Sequence, residues 1–164
     1  MKYPVTLGLV CLARETFDFN AAKELYAGIK ERLQKMPAVN WVVIPDLVIS
    51  LEDATKASDT LAKNSIDGLV CISGTFHLGH LALELYKAVR VPILLWGMNE
   101  LPYDGGKIRL NSVCGVNLNA SNLYKAGIDE YHAVVGDSID EDWVDAIRIL
   151  ACLKKTRLGL AGYR

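Results

Sequence analysis

The sequence has 164 residues, and five of its side chains have the chemistry to hold a polyhydroxylated ligand. They are one arginine, two histidines and two aromatic residues: Arg14, His77, His80, Phe76 and Trp96. A guanidinium forks two hydrogen bonds onto neighbouring hydroxyls or a carboxylate, and an imidazole donates to or accepts from a hydroxyl. An aromatic ring stacks on the apolar face of a sugar. We therefore take these five as candidate substrate-binding residues.

Other roles are open for three of them. Arg14 could instead form a surface ion pair with Glu15 or Glu100. Phe76 and Trp96 could close the hydrophobic core, and Trp96 is the last residue of an apolar run. The sequence leaves both interpretations open.

The two histidines lie three residues apart at the start of a predicted helix, so both could face one ligand. Hydrogen bonding at the helix start and contact with a sugar are alternatives for His77 and His80. A metal ion is a third, but it needs three or four protein ligands, and Glu84 is the only acid that continues this helix face. We therefore predict no metal site in this chain.

Motifs of common nucleotide and hydrolase sites are missing. The segment 11–14 has no glycine fingerprint for a dinucleotide, and the segment 74–80 lacks the Gly-Lys-Ser/Thr ending of a phosphate loop. Ser73 is not part of a Gly-x-Ser-x-Gly elbow. Because acid–base catalysis needs two groups within reach of one substrate, and no such pair can be assigned, we predict no catalytic residue here.

Alternating apolar runs and helical stripes must position these side chains. The runs predict strands at 5–13, 41–44, 68–73, 92–96 and 131–135. A helical stripe follows each run, and the last stripe consists of Trp143, Ala146, Ile147, Leu150 and Leu153. Ser50 and Asp53 have the spacing of a capping box at the start of the second helix.

This alternation predicts an α/β fold with a parallel sheet between two helical layers. Right-handed crossovers favour a flavodoxin-like three-layer sandwich of five parallel strands in the order 2-1-3-4-5. Ligands bind beyond the carboxyl ends of the strands in such a sheet. Arg14 follows the first strand, the segment 74–80 follows the third, and Trp96 ends the fourth, so we expect them along that edge.

Composition excludes several classes of protein. With 51% hydrophobic and 23% charged residues the chain is not intrinsically disordered, and a net charge of -1 disfavours a nucleic-acid partner. The longest apolar run, 91–98, is far shorter than the roughly 20 residues of a membrane helix. No secretory cleavage pattern follows the first residues, so we expect a cytoplasmic protein without a membrane partner. The four scattered cysteines predict buried, reduced thiols.

The segment 158–164 repeats the pattern of 7–14: both open with Leu-Gly-Leu and end in Arg. It is either a sixth strand at the sheet edge or the first strand of a second domain. We favour one domain over residues 1–157, followed by the start of another at 158–164.

The sequence resembles the N-terminal domain of the L-fucose/L-arabinose isomerase-like family. The most specific match is the segment 73–80. The other matching stretches are more moderate: 7–14, 44–46, 95–96, 101–106 and 109–111. The segment 158–164 is similar to the first strand of that family's second domain. This similarity strengthens the interpretation that a second domain begins there.

The resemblance implies a part of an aldose–ketose isomerase whose Mn²⁺ is held by later domains. This domain would supply the rim of the active site, in which Arg14 grips sugar hydroxyls while Phe76 and His77 shape the pocket. The expected partners are a monosaccharide substrate, the remaining domains of the parent chain, and further copies in a trimer or hexamer. The isolated chain would be inactive, and which sugar is used stays open. The alternative is a stand-alone flavodoxin-like sugar-binding or sensor module without catalysis.

Overall fold

The computed structural model describes residues 2–162. The strands are β1 (Val5–Leu12), β2 (Val39–Val43), β3 (Gly68–Ser73), β4 (Ile93–Gly97) and β5 (Tyr131–Val135). The helices are α1 (Phe19–Leu33), α2 (Leu51–Lys63), α3 (His80–Val89), α4 (Ser112–Lys125) and α5 (Glu141–Lys155). Within the described residues, no helix is both long enough and apolar enough to cross a membrane.

The strands form one parallel sheet in the order β2-β1-β3-β4-β5. This confirms the predicted fold class and strand order. The predicted bounds of β3 and β5 are correct, whereas β2 begins at Val39 instead of Trp41.

Two helices cover one face of the sheet and three cover the other. On the first face, Leu9 of β1 packs in a cluster with residues of α1 and α5. On the second face, Val10 packs in a cluster with residues of α2, α3 and α4. Because both faces of β1 are buried, its sequence is a nearly continuous apolar run.

The predicted capping box begins α2. The Ser50 hydroxyl accepts from the Asp53 N–H at 3.1 Å, and the Asp53 carboxylate accepts from the Ser50 N–H at 3.1 Å. Hydrogen bonding from the Ser50 hydroxyl, with the Ile49 and Ser50 N–H groups, lowers the pKa of Asp53. An aspartate therefore serves in place of the more usual glutamate or glutamine.

A buried arginine ties together the amino-terminal edge of the sheet. The Arg148 guanidinium, on α5, donates to the carbonyl oxygens of Tyr3, Pro37 and Ala38. Asp145, one turn earlier, lies 3.1 Å from its Nε. Helix α5 is thus fixed to the chain segments that enter β1 and β2.

The cysteine prediction is half wrong. Cys11 and Cys71 are buried, but Cys114 on α4 and Cys152 on α5 are exposed. All four are free thiols. Burial raises the pKa of Cys71 to about 12 and raises the pKa of Cys11 further. The prediction failed for these two because a cysteine by itself does not show whether its position on a helix faces the core or the solvent.

The stripe predicted for α5 also needs correction, because it joins two faces of the helix. Trp143 and Ile147 are buried against the sheet, whereas Ala146, Leu150 and Leu153 are exposed. The positions of both groups recur at helical spacing, so the periodicity did not separate them.

The segment that follows α5 forms no strand between residues 156 and 162. Leu158 and Leu160 are 95% and 102% exposed. A sixth strand is therefore not observed in this stretch, and residues 163–164 lie outside the described part. The start of a second domain at 158–164 stays a prediction.

Candidate functional site

The loops that follow β1, β3 and β4 meet at the carboxyl edge of the sheet. The Arg14 N–H donates to the Thr75 hydroxyl at 2.7 Å, which ties the first loop to the second. The Phe76 N–H donates to the carbonyl oxygen of Leu110 at 2.8 Å, which ties the second loop to the third. These bonds bring Arg14 and Phe76 to the same place, as the topology predicted.

An ion pair closes the third loop onto the start of α1. Both Nε and Nη2 of Arg109 contact Oδ2 of Asp18, at 2.9 and 2.8 Å. The other oxygen of Asp18 caps α1 by accepting from the Ala21 N–H at 3.0 Å. The Ala21 N–H and the Arg109 side chain together lower the pKa of Asp18. One carboxylate thus starts a helix and anchors a loop.

The exposed carboxylate of Glu100 fixes the loop between β4 and α4 through three backbone hydrogen bonds. Its carboxylate accepts from the N–H groups of Leu101, Leu110 and Asn111 at 3.1, 2.8 and 2.7 Å. Asn111 has φ 55°, a left-handed conformation that asparagine tolerates better than most residues. The loop tip, 102–108, is exposed.

The Arg14 side chain lies exposed at this edge. Within residues 2–162 it hydrogen bonds only through its backbone, and its guanidinium forms no ion pair. Neither ion pair that the sequence allowed, with Glu15 or with Glu100, is observed. The guanidinium is therefore free to bind hydroxyls or a carboxylate from outside.

Two phenylalanines form an aromatic pair beside Arg14. The ring centroids of Phe17 and Phe76 are 5.9 Å apart, and the rings are tilted by 58°. Both side chains are half-buried, and the Phe17 N–H donates to the carbonyl oxygen of Arg14 at 3.2 Å. Phe17 does not stand out in the sequence, because a single aromatic residue in a loop has no periodic signal. Its place three residues after Arg14 is the one signal that could have pointed to it.

His77 lies beneath this edge and is fully buried. Its Nδ1 is 2.9 Å from the carbonyl oxygen of Thr75, and its Nε2 is 2.8 Å from Nδ2 of Asn119. The carbonyl only accepts and the amide nitrogen only donates, so the ring is neutral, with its proton on Nδ1. Burial lowers the pKa of His77 accordingly. The imidazole holds the loop that carries Phe76.

Helix α4 can approach His77 because Gly115 has no side chain. A Cβ at Gly115 would lie 2.9 Å from Cε1 of His77 and 3.2 Å from Cβ of Ser73. Asn119 follows one turn later on the same helix. Helix α4 carries three asparagines, Asn117, Asn119 and Asn122, but nothing in the sequence shows that one of them meets His77.

The remaining two candidates form no side-chain hydrogen bond with this group within residues 2–162. His80 is exposed at the first residue of α3. Trp96 is 1% exposed, and its indole N–H donates to the carbonyl oxygen of Gly136 at 2.8 Å. Its ring belongs to the core cluster that contains α1 and α5. The structure thus brings the loops of Arg14 and Phe76 together above His77 and places Trp96 in the core. Ligand contact by any of the five stays a prediction.

The side chains at this edge do not fit a metal ion. Within residues 2–162, no three histidine, cysteine, aspartate or glutamate side chains converge closely enough to hold one. His77 has both nitrogens engaged, and the carboxylates of Asp18 and Glu100 are taken up by loop and helix contacts. The edge instead offers the exposed guanidinium of Arg14 for hydrogen bonding and the rings of Phe17 and Phe76 for stacking.

Several solved structures are similar to this chain at low identity. A solute-binding protein of an ABC transporter from Bacillus halodurans, with bound myo-inositol, is 9% identical with a TM-score of 0.41; the match covers 83% of this chain and 57% of that one. A second such protein, from Clostridium phytofermentas with bound L-rhamnose, is 10% identical with a TM-score of 0.37, covering 93% and 58%. An FMN-dependent NADH-azoreductase from Bacillus anthracis is 10% identical with a TM-score of 0.38, covering 91% and 96%. The chain spans little more than half the length of the two solute-binding proteins.

Comparison with curated protein sequences gives no significant match. A comparison with family models matches residues 8–154 to the fucose/sulfoquinovose isomerase, N-terminal domain. This range includes most of β1, all of β2 to β5 and nearly all of α5. The matched range contains the whole carboxyl edge, from Arg14 to Asn111. The chain therefore belongs to the family of fucose/sulfoquinovose isomerase N-terminal domains.

Proposed function

We propose that this chain is the substrate-recognition domain of an aldose–ketose isomerase, and that it is inactive alone. The observation that carries the proposal is the family match over residues 8–154. It is supported by a carboxyl edge that offers a free guanidinium and an aromatic pair but no metal-binding cluster within the described residues. The Mn²⁺ that the family resemblance implies is assigned to other domains of a longer protein.

In this role Arg14 grips sugar hydroxyls. Its planar guanidinium matches two neighbouring oxygens at once, whereas an ammonium would act as a single point charge. Because its backbone N–H is fixed to the Thr75 hydroxyl, the side chain starts from a rigid base and loses less entropy on binding.

Phe17 and Phe76 provide the apolar side of the same surface. A sugar ring stacks on an aromatic side chain through its own C–H groups. Residues that bind the sugar hydroxyls do not cover these groups. The Phe76 loop is fixed from below by His77 and from the side by the carbonyl oxygen of Leu110. His77 is thus a positioning residue in this proposal. Of the five candidate residues, His80 and Trp96 have the least support for direct contact with the sugar.

The same proposal includes assembly. The rim would complete the active site of a neighbouring subunit in a trimer or hexamer, and 158–164 would begin the next domain. The resemblance of 158–164 to the first strand of the family's second domain supports the second point.

Isomerase activity of the chain itself tests the placement of catalysis. Incubation with Mn²⁺ and a panel of aldoses, including L-fucose, L-arabinose and sulfoquinovose, should form no ketose. Mn²⁺ titration followed by calorimetry should show no saturable site. Turnover by this chain would overturn the proposal.

A domain-exchange experiment distinguishes the proposed isomerase domain from the alternative, a stand-alone sugar-binding module. Residues 1–157 would replace the N-terminal domain of a family isomerase, with folding and Mn²⁺ content checked before kinetics. We expect turnover to be retained and Arg14→Met to raise KM more than it lowers kcat. Lys63→Met, at the far end of α2, is the charge-matched control. A folded, metal-loaded exchange protein without activity would favour the stand-alone module.

A further inference from the structure

Two neighbouring cavities lie along the seam between α1 and the start of α5. Their volumes are about 220 and about 170 Å³. Both are lined by Arg32, Met36 and Glu141, so they adjoin each other at these residues. A site for a small organic molecule usually has a volume of about 300–1,000 Å³. The two cavities reach that range together, whereas neither reaches it alone.

The smaller cavity is apolar and recessed. Its apolar floor consists of buried side chains from α1, β4 and the loop before α5: Ile29, Leu33, Trp96 and Ile139. The residues around its mouth, Arg32, Ser138 and Glu141, are polar and exposed. Because the apolar lining lies below a polar rim, this cavity suits a small group that inserts into it rather than the flat surface of another protein.

The larger cavity is cationic. Its charged lining consists of four basic and two acidic side chains: Lys2, Arg32, Lys35, Arg148, Glu141 and Asp145. Asp145 is shared between Lys2 at 3.4 Å and Arg148 at 3.1 Å. Arg32 and Lys35 form no ion pair within residues 2–162. The cavity therefore has an excess of two positive charges.

One of these cations is buried and incompletely satisfied. Arg148 is 5% exposed, and its two terminal nitrogens donate to three carbonyl oxygens. Its Nε–H is buried and has no aligned hydrogen-bond acceptor, although the Asp145 carboxylate lies 3.1 Å away. A buried guanidinium stays charged, and an anion close to it offsets the cost of that burial. An anionic group in the larger cavity would add such a charge.

We infer that this seam binds a small organic anion. Its apolar body lies in the smaller cavity, and its phosphate or carboxylate group lies in the larger one. Arg32 borders both cavities, so its guanidinium is placed where the anionic group joins the body. Lys35 borders only the larger cavity and adds a second cation for the anionic oxygens.

The position of the seam favours a small molecule over the segment that follows α5. Helix α5 ends at Lys155, which is about 20 Å from Glu141 along the helix at 1.5 Å per residue. The chain therefore leaves α5 far from the apolar cavity. The inference does not rest on the proposed function, because it uses neither Arg14 nor the aromatic pair at the carboxyl edge.

Amide NMR titration of the full chain with phenyl phosphate and with benzoate tests the inference. The chain carries Arg14→Met, so that the exposed guanidinium at the carboxyl edge does not bind the same probes. We expect saturable shifts at Arg32, Lys35 and Met36 and within 138–145 with at least one probe. Phenol and inorganic phosphate should each bind at least about tenfold more weakly than phenyl phosphate, because each fills only one cavity. Absence of saturable shifts at the seam with both probes would overturn the inference.

Paired substitutions distinguish a built site from general attraction of anions. Arg32→Met with Lys35→Met should raise the Kd of the bound probe by about tenfold or more, since both charge-assisted contacts are lost. Both side chains are exposed, so folding is retained. Lys63→Met with Lys125→Met removes the same charge from helices on the other face of the sheet and should leave the Kd unchanged. An equal loss in both double variants would contradict a site at the seam.

Filling the apolar cavity tests its part in binding. Ser138 is exposed at the mouth, so Ser138→Phe places a ring there without disturbing the core. This variant should weaken binding of phenyl phosphate or benzoate by about tenfold or more and leave binding of inorganic phosphate unchanged. Unchanged binding of the aromatic probes would show that their bodies do not enter the cavity and would overturn the inference.

Discussion

Lowering the pH should destabilise the folded chain through His77. The folded state holds this imidazole neutral, because Nε2 accepts from Asn119 while Nδ1–H donates to Thr75. Protonation would place an N–H against the amide NH₂ of Asn119, and it would bury a charge. Burial accordingly lowers the pKa of His77 below its ordinary value of 6.5.

The sign and size of the effect follow from proton linkage. Below pH 6.5 the unfolded chain takes up a proton at His77 that the folded chain refuses, so folding stability falls as the pH falls. The contribution is complete above pH 6.5 and decreases until the pH drops below the folded-state pKa, where both states are protonated. Between about pH 7.5 and about 5.5 the loss from this residue is at most about 1.4 kcal/mol.

Two measurements check this prediction. Urea unfolding at both pH values gives the free energy of unfolding, and NMR follows the Cε1–H of each histidine. Variants His80→Gln and His132→Gln assign the other two signals and remove their contributions. The stability loss should persist in the double variant, and the His77 signal should stay at its neutral position below pH 6.5. Titration of His77 at or above pH 6.5 would refute the reasoning.

Three further predictions concern Asp18, Arg148 and the four cysteines. Asp18→Ala removes the N-cap of α1 and the anchor of the β4–α4 loop. It should lower the free energy of unfolding in urea and speed proteolytic cleavage within 102–108, and unchanged cleavage would contradict the anchoring role. Arg148→Met leaves three carbonyl oxygens without their donor and should lower the free energy of unfolding by about 3 kcal/mol; a loss below about 1 kcal/mol would show that water replaces it. A thiol reagent should modify Cys114 and Cys152 in the native chain and the other two cysteines only after denaturation, and modification of all four at one rate would contradict their burial.

The sheet was predictable because its signal is local. A strand buried on both faces must be apolar throughout, as β1 and β3 are, and such runs stand out between helical segments. Right-handed crossovers limited the topology to a doubly wound sheet, and 2-1-3-4-5 is a common strand order of such sheets. The capping box of α2 was also visible, because Ser50 and Asp53 are only three residues apart.

The candidate site was only partly predictable because its contacts are distant in sequence. The position of Arg14 and Phe76 at one edge follows from topology alone. The role of His77 depends on Asn119, 42 residues later, and on the missing side chain of Gly115. Nothing near His77 in the sequence shows that its ring turns inward.

The last helix shows a different limit. Two apolar stripes at helical spacing fill α5, and periodicity reports their presence without saying which one faces the sheet. Trp143 and Ile147 pack closely over Gly68 of β3, a contact between residues that are distant in sequence and that periodicity does not report.

Amide NMR mapping of monosaccharide binding tests the central claim most directly. In a titration of the labelled chain with the aldose panel, shifts should cluster at Arg14, Phe17 and Phe76. They should vanish in Arg14→Met and persist in Lys63→Met. Shifts confined to another surface, or equal binding by Arg14→Met and the parent chain, would contradict a sugar-recognition role for this edge.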